Sequence, residues 1–147
     1  MKKLTKKRVY FALFCFMLCF IWGNSLLSKE FSGELSHLVT DFIGGEEGVD
    51  ETGHYLVRKA AHLTEFAFLG AVFLLLSGEY TKDKAKRALS SMFVGFFVPL
   101  VDETVQLFSG RGAAISDIWI DVLGYVIGSG LTVLFIFLSA KRGKVGK

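Results

Sequence analysis

No polar stretch of this chain is long enough to build a soluble domain. Its 147 residues hold four apolar segments, at about 9–27, 55–76, 88–108 and 118–138. Each approaches or exceeds the roughly 20 residues that cross a bilayer core. That absence removes most enzyme classes, which need a soluble catalytic domain. Cysteine is nearly absent too. Cys15 and Cys19 both fall in the first apolar segment, so no extracytoplasmic pair exists to form a disulfide. Their i, i+4 spacing puts them on one helix face, where they read as small packing residues and not as a metal site. Proline occurs once, at Pro99, where it removes a backbone hydrogen bond and is expected to kink the third helix. There is no internal repeat, and no domain that would read a nucleic acid.

What the chain does contain is hydrocarbon with charge set into it. Hydrophobic residues make up 52% of the sequence and the mean hydropathy is +0.47. The expected fold is all-α: an integral membrane four-helix bundle forming one domain over residues 1–147. Net charge is +3, but its distribution is uneven. Thirteen of the 17 Lys and Arg residues lie in three groups: Lys2 to Arg8, Lys82 to Arg87, and Lys141 to Lys147. These groups alternate along the chain as the positive-inside rule requires. Both termini and the second loop are then cytoplasmic. The segment at 28–54 and the short hairpin around Arg111 face outward. The first apolar segment lacks a good small-residue cleavage site and reads as a retained anchor.

Within the outward segment, Leu35, Leu38, Val39 and Phe42 recur at helical spacing. They predict a short amphipathic extracytoplasmic helix between the first and second membrane helices, ended by Gly44-Gly45. The acidic residues Glu46, Glu47, Asp50 and Glu51 follow as a solvated turn. The second helix is expected to stop at Leu76, broken by Ser77-Gly78, before a polar loop at 79–87.

Ionisable groups sit inside three of the apolar helices. Arg58, Lys59, His62 and Glu65 open the second. Asp102, Glu103 and Gln106 close the third. Asp117 and Asp121 open the fourth. At about 1.5 Å of rise per residue, Arg58, His62 and Glu65 lie roughly 5, 10 and 15 Å deep. Asp102 and Asp121 both come out about 9 Å deep. The helices alternate in direction, yet these groups converge on one level. At about 100° per residue, Arg58, His62 and Glu65 share an arc of roughly 60°. Asp117, Asp121, Gly124 and Gly128 share another face, and Gly124-x-x-x-Gly128 lets a neighbouring helix approach closely. The aspartates therefore point into the bundle. Charge in hydrocarbon is costly and marks a site by default. The acids outnumber the nearby bases, which favours a proton on a carboxylate, a protonated His62 or a bound cation.

These residues also carry a resemblance. The run Arg58-Lys59-Ala60-Ala61-His62-Leu63-Thr64-Glu65-Phe66, the run Asp102-Glu103-Thr104-Val105-Gln106, and then Arg111, Asp117, Asp121 and Gly124 resemble the signature of VanZ-like proteins. The stretch 25–36 is similar to the polar segment after the family's first helix, and the likeness runs from about Trp22 to Gly128. Phe66 departs from it, standing where members often carry Tyr. The resemblance implies a small multi-spanning bacterial membrane protein associated with resistance to teicoplanin and other lipid-tailed glycopeptides. It supplies a context and not a reaction.

Three uses of the cluster remain open. It would bind an amphiphile at the outer leaflet: a lipid-linked cell-wall precursor, a phospholipid head group or a lipoglycopeptide tail. Arg58, Lys59 and Arg111 would hold phosphate or carboxylate, with His62, Glu65, Asp102, Glu103, Gln106, Asp117 and Asp121 completing the pocket. It would instead be catalytic, with His62 as acid or base and Asp102 or Asp121 orienting it. Or it would lock the helices by ion pairs and bind nothing. Binding is favoured over chemistry. His62-x-x-Glu65 is a weak metal signal, and no metal or cofactor is expected. Membrane lipids are the expected partners, and a homo-oligomer is left open. Transport is disfavoured, because the second helix is apolar from Phe66 to Leu76.

Overall fold

The computed structural model describes residues 5–27, 34, 51–109 and 114–145. The amphipathic helix expected at 35–42, the acidic residues at 46–50 and Arg111 lie outside the described residues. Four long helices form the bundle: α1, Lys6–Ser25; α2, Glu51–Tyr80; α3, Lys84–Phe108; and α4, Ile115–Val145. No strand occurs among the described residues. All four helices are long and apolar enough to cross a membrane. The chain is a multi-pass membrane protein.

The helices are longer than their apolar segments. α2 does not stop at Leu76 but continues through Ser77 and Gly78 to Tyr80. Both residues that would break it are accommodated. Ser77 donates its hydroxyl back to the Leu74 carbonyl at 2.9 Å. The space beside Gly78 is taken by the Arg87 guanidinium, which also donates to Leu74 O at 3.3 Å. Only residues 81–83 then separate α2 from α3. Asp83 is the N-cap of α3, its carboxylate accepting from the backbone N–H groups of Ala85 and Lys86, which satisfies two of the donors a helix start leaves open. Further along, α3 passes through Pro99 without interruption.

The interior is small. Ile21, Phe66, Leu69, Val98 and Tyr125 form its apolar core, with every helix contributing. Phe93, Phe135 and Phe137 are each more than 60% exposed, as side chains facing hydrocarbon are. Glycines bring α2 and α4 into backbone contact. A methyl group on Gly124 would strike the Leu63 carbonyl, one on Gly128 the Ala67 carbonyl, and one on Gly70 the Tyr125 carbonyl. The Gly124-x-x-x-Gly128 pattern thus meets α2 along the turns that carry His62 and Phe66. Gly95 of α3 makes room for the Tyr125 ring, whose Cδ1 lies 2.8 Å from where a Cβ would stand. The Tyr125 hydroxyl pairs with Ser91 at 3.0 Å.

The topology gives the bundle two unlike ends. One gathers the start of α1, the α2–α3 link and the end of α4. Apart from Arg58 and Lys59, the described basic residues are at this end, and Lys7 Nζ sits 3.8 Å over the Tyr80 ring. The other gathers the end of α1, the first half of α2, the end of α3 and the start of α4. The polar cluster is there.

Candidate functional site

The centre of the cluster is His62 of α2, facing two aspartates from two other helices. Its Nδ1 lies 3.4 Å from Asp121 Oδ1 and 3.9 Å from Asp102 Oδ2. All three residues are buried, and both aspartates are 0% exposed. Asp102 is held firmly. Ser25 donates to its Oδ1 at 2.6 Å, and Gln106, one turn along α3, donates to its Oδ2 at 2.8 Å. Asp121 is different. Neither of its oxygens has a hydrogen-bond partner among the described residues, nor does His62 Nδ1. The two groups approach without forming a well-aligned bond. One nitrogen or oxygen from each of His62, Asp102 and Asp121 lies within 4.8 Å of the others, close enough for the three to hold a metal ion.

Around this centre the other expected residues divide by role. Glu65 turns toward α1, where Asn24 donates to its Oε1 at 3.1 Å. It also lines an apolar groove of about 560 Å³ between α1 and α2, with Phe16, Met17, Phe20, Ala61 and Phe68 among its walls. Lys59 forms an ion pair with Asp117, and both side chains are nearly buried. Ser116 donates to the same Asp117 oxygen at 3.1 Å. Glu103 accepts from the backbone N–H of Ala114 at 3.1 Å, immediately before α4. A carboxylate there satisfies an open donor and suits the positive end of the helix dipole. Its Oε1 stays buried without a partner among the described residues. Arg58 is half-buried, and no ion pair joins it to a described residue. Arg111 lies outside the described residues.

The structure adds two residues from α1 that the charge pattern did not single out. Asn24 binds Glu65 and Ser25 binds Asp102. Ser25 also accepts, through its backbone carbonyl, the Ser109 hydroxyl at 2.9 Å, so the ends of α1 and α3 are tied together. The signal was present: Asn24 and Ser25 are polar residues at the end of α1, at the level where topology returns the other polar residues. Neither is charged, and a search for charge passes over them.

Beside this geometry stands a match to a protein-family model, VanZ/LLP1, over residues 8–137. The chain belongs to the VanZ/LLP1 family. The match reaches into all four helices and takes in every residue of the cluster. Neither a curated protein nor a solved structure matches the chain. For this VanZ/LLP1 member, the arrangement offers one imidazole between two buried carboxylates, with a carboxylate of the same helix, Glu65, reaching an apolar groove.

Proposed function

We propose that this VanZ-like protein lies in a bacterial cytoplasmic membrane with both termini in the cytoplasm. The polar end of the bundle faces outward, because the basic end is the one that stays inside under the positive-inside rule. There it binds an amphiphile at the outer leaflet and contributes to resistance against teicoplanin and related lipid-tailed glycopeptides. The ligand is a lipid-linked cell-wall precursor, a phospholipid or the glycopeptide's own tail. The observation that carries this reading is the position of Glu65. Its carboxylate is held by Asn24 at the polar end of the bundle, and the residue also lines the groove between α1 and α2. A tail in that groove would bring its head group to the cluster. Arg58 and Arg111 would meet an anionic head, since Lys59 is already paired with Asp117.

The test is susceptibility of a deletion strain to glycopeptides with and without lipid tails, complemented by wild type and by His62→Ala. Selective sensitisation to the lipid-tailed compounds, rescued by wild type and not by a folded His62→Ala protein, supports the reading. An unchanged profile removes it. A second reading has its own support. His62 beside Asp121 is the pairing that orients an imidazole for proton transfer, so the same site would act on a lipid-linked envelope substrate. Release of a modified lipid by the purified protein, lost in Asp121→Asn, would select that reading over simple binding.

A further inference from the structure

We infer that His62, Asp102 and Asp121 form a binding site for one divalent transition-metal ion, of the zinc or manganese class. Three observations carry it. The first is spacing. Donors bound to an ion at about 2.0–2.2 Å stand about 3.3–3.6 Å apart when tetrahedral and about 4.0–4.4 Å apart when opposite. His62 Nδ1 is 3.4 Å from Asp121 Oδ1 and 3.9 Å from Asp102 Oδ2. One ligand atom from each of His62, Asp102 and Asp121 lies within 4.8 Å of the other two.

The second is the unmet demand of Asp121. It is 0% exposed, yet neither carboxylate oxygen has a hydrogen-bond partner among the described residues. His62 Nδ1, aimed at the same point, has none either. Buried carboxylates are found paired or on metal because leaving one bare is costly. A salt bridge to His62 alone answers this poorly: the geometry is not that of a formed hydrogen bond, and one imidazolium faces two aspartates. Lys59 of α2 is engaged by Asp117, and among the described residues no ion pair joins Arg58 to Asp121. A divalent ion balances both aspartates at once.

The third is the support behind Asp102. Ser25 and Gln106 fix its two oxygens from α1 and α3, in the manner of the outer hydrogen bonds that orient metal-binding carboxylates. One imidazole with two carboxylates favours zinc or manganese over magnesium or calcium, which prefer all-oxygen sites. The set differs from the His62-x-x-Glu65 pair that sequence spacing offers, because Glu65 turns away to Asn24. The ion's site is complete without any amphiphile.

The experiment uses the full chain purified in detergent, stripped with a chelator, then titrated separately with Zn²⁺ and Mn²⁺. Bound metal is measured by elemental analysis and native mass spectrometry. The expected result is one ion per chain and a higher Tm with metal. His62→Ala and Asp121→Asn should lose both effects, and Glu103→Gln should keep them. Ser25→Ala, which leaves all three ligands in place, should weaken binding about 10–100-fold. This variant carries the test if either ligand variant does not fold. Cobalt(II) in place of the ion should give a visible spectrum in wild type that Asp121→Asn lacks. Wild type that takes up neither ion at large excess overturns the inference. So does equal uptake by His62→Ala and Asp121→Asn, which would put the ion elsewhere. Lipid co-purification is scored separately, so loss of the amphiphile reading leaves this result standing, and the reverse.

Discussion

His62 Nδ1 approaches Asp121 Oδ1 to 3.4 Å inside a bundle where Asp121 has no exposure at all. The pair joins α2 to α4 across the same contact that Gly124 makes close. Two costs compete at such a place. Removing one partner of a buried ion pair leaves a bare charge and destabilises by about 3–5 kcal/mol. Removing both charges with little loss of shape restores much of that.

The first prediction follows from this asymmetry. His62→Ala should destabilise the protein by about 3–5 kcal/mol, and Asp121→Asn should cost less, because it removes the charge and keeps the shape. The double variant should fall short of the sum by a coupling of about 0.5–3 kcal/mol. Equilibrium unfolding of the four proteins in one detergent closes the cycle. Strict additivity would mean that the two residues do not interact.

Ser25→Ala tests how α1 is held. It deletes the donor to Asp102 Oδ1, a 2.6 Å bond between two fully buried side chains. Interhelical hydrogen bonds in membranes average about 0.6 kcal/mol and reach about 1.7 kcal/mol. This one has an aspartate as acceptor and no access to water, so its loss belongs at the upper limit, about 1.5 kcal/mol. Ser25→Thr keeps the hydroxyl and should recover most of the loss in the same unfolding measurement.

Glycine positions give a paired prediction on helix packing. Gly128→Ala drives a methyl group into the Ala67 carbonyl. Backbone cannot move aside as a side chain can, so overpacking of about 1–3 kcal/mol is expected. Gly130 lies two residues on, and nothing stands within 4 Å of an added Cβ there. Gly130→Ala should be neutral or stabilising by up to about 1 kcal/mol, through helix propensity alone. Thermal unfolding of both variants beside wild type checks the contrast. Equal effects would remove the close α2–α4 approach as the cause.

Depth and helix face, read along the chain, were enough to bring His62, Asp102 and Asp121 to one level, and the structure places them together. Both quantities depend only on helical rise and rotation, which tertiary contacts alter little. Pairing among the charges was less legible. Lys59 and Arg58 are adjacent and chemically alike, yet Lys59 engages Asp117 while no ion pair joins Arg58 to a described residue. Rotation by one residue decides which of them reaches α4, and sequence spacing does not fix that to better than a residue. The end of α2 lies beyond the expected Leu76 for a related reason. Ser77-Gly78 is a weak helix locally, but Arg87 arrives from α3 to fill the space beside Gly78. Partners from another helix overrule local preference. Asn24 and Ser25 became visible only once α1 was docked, since their meaning comes from Glu65 and Asp102 and not from their own chemistry.

Glu65 gives the last prediction, because it alone of the cluster is shown to line the groove between α1 and α2. If a tail lies there, filling the groove should block binding without touching the centre. Ala61 lines the same groove and is exposed to it, so Ala61→Phe adds bulk on the hydrocarbon side only. It should reduce photo-crosslinking of an azido-tailed lipid to the purified protein and leave Tm close to wild type. Glu65→Gln keeps the groove's shape and its bond from Asn24, but removes the charge at the head-group end. It should leave the tail contact in place and change which head groups compete for it. Should Ala61→Phe crosslink as wild type does, the groove is only a lipid-facing surface. The cluster would then have to receive its ligand from the open end of the bundle, beside the start of α4.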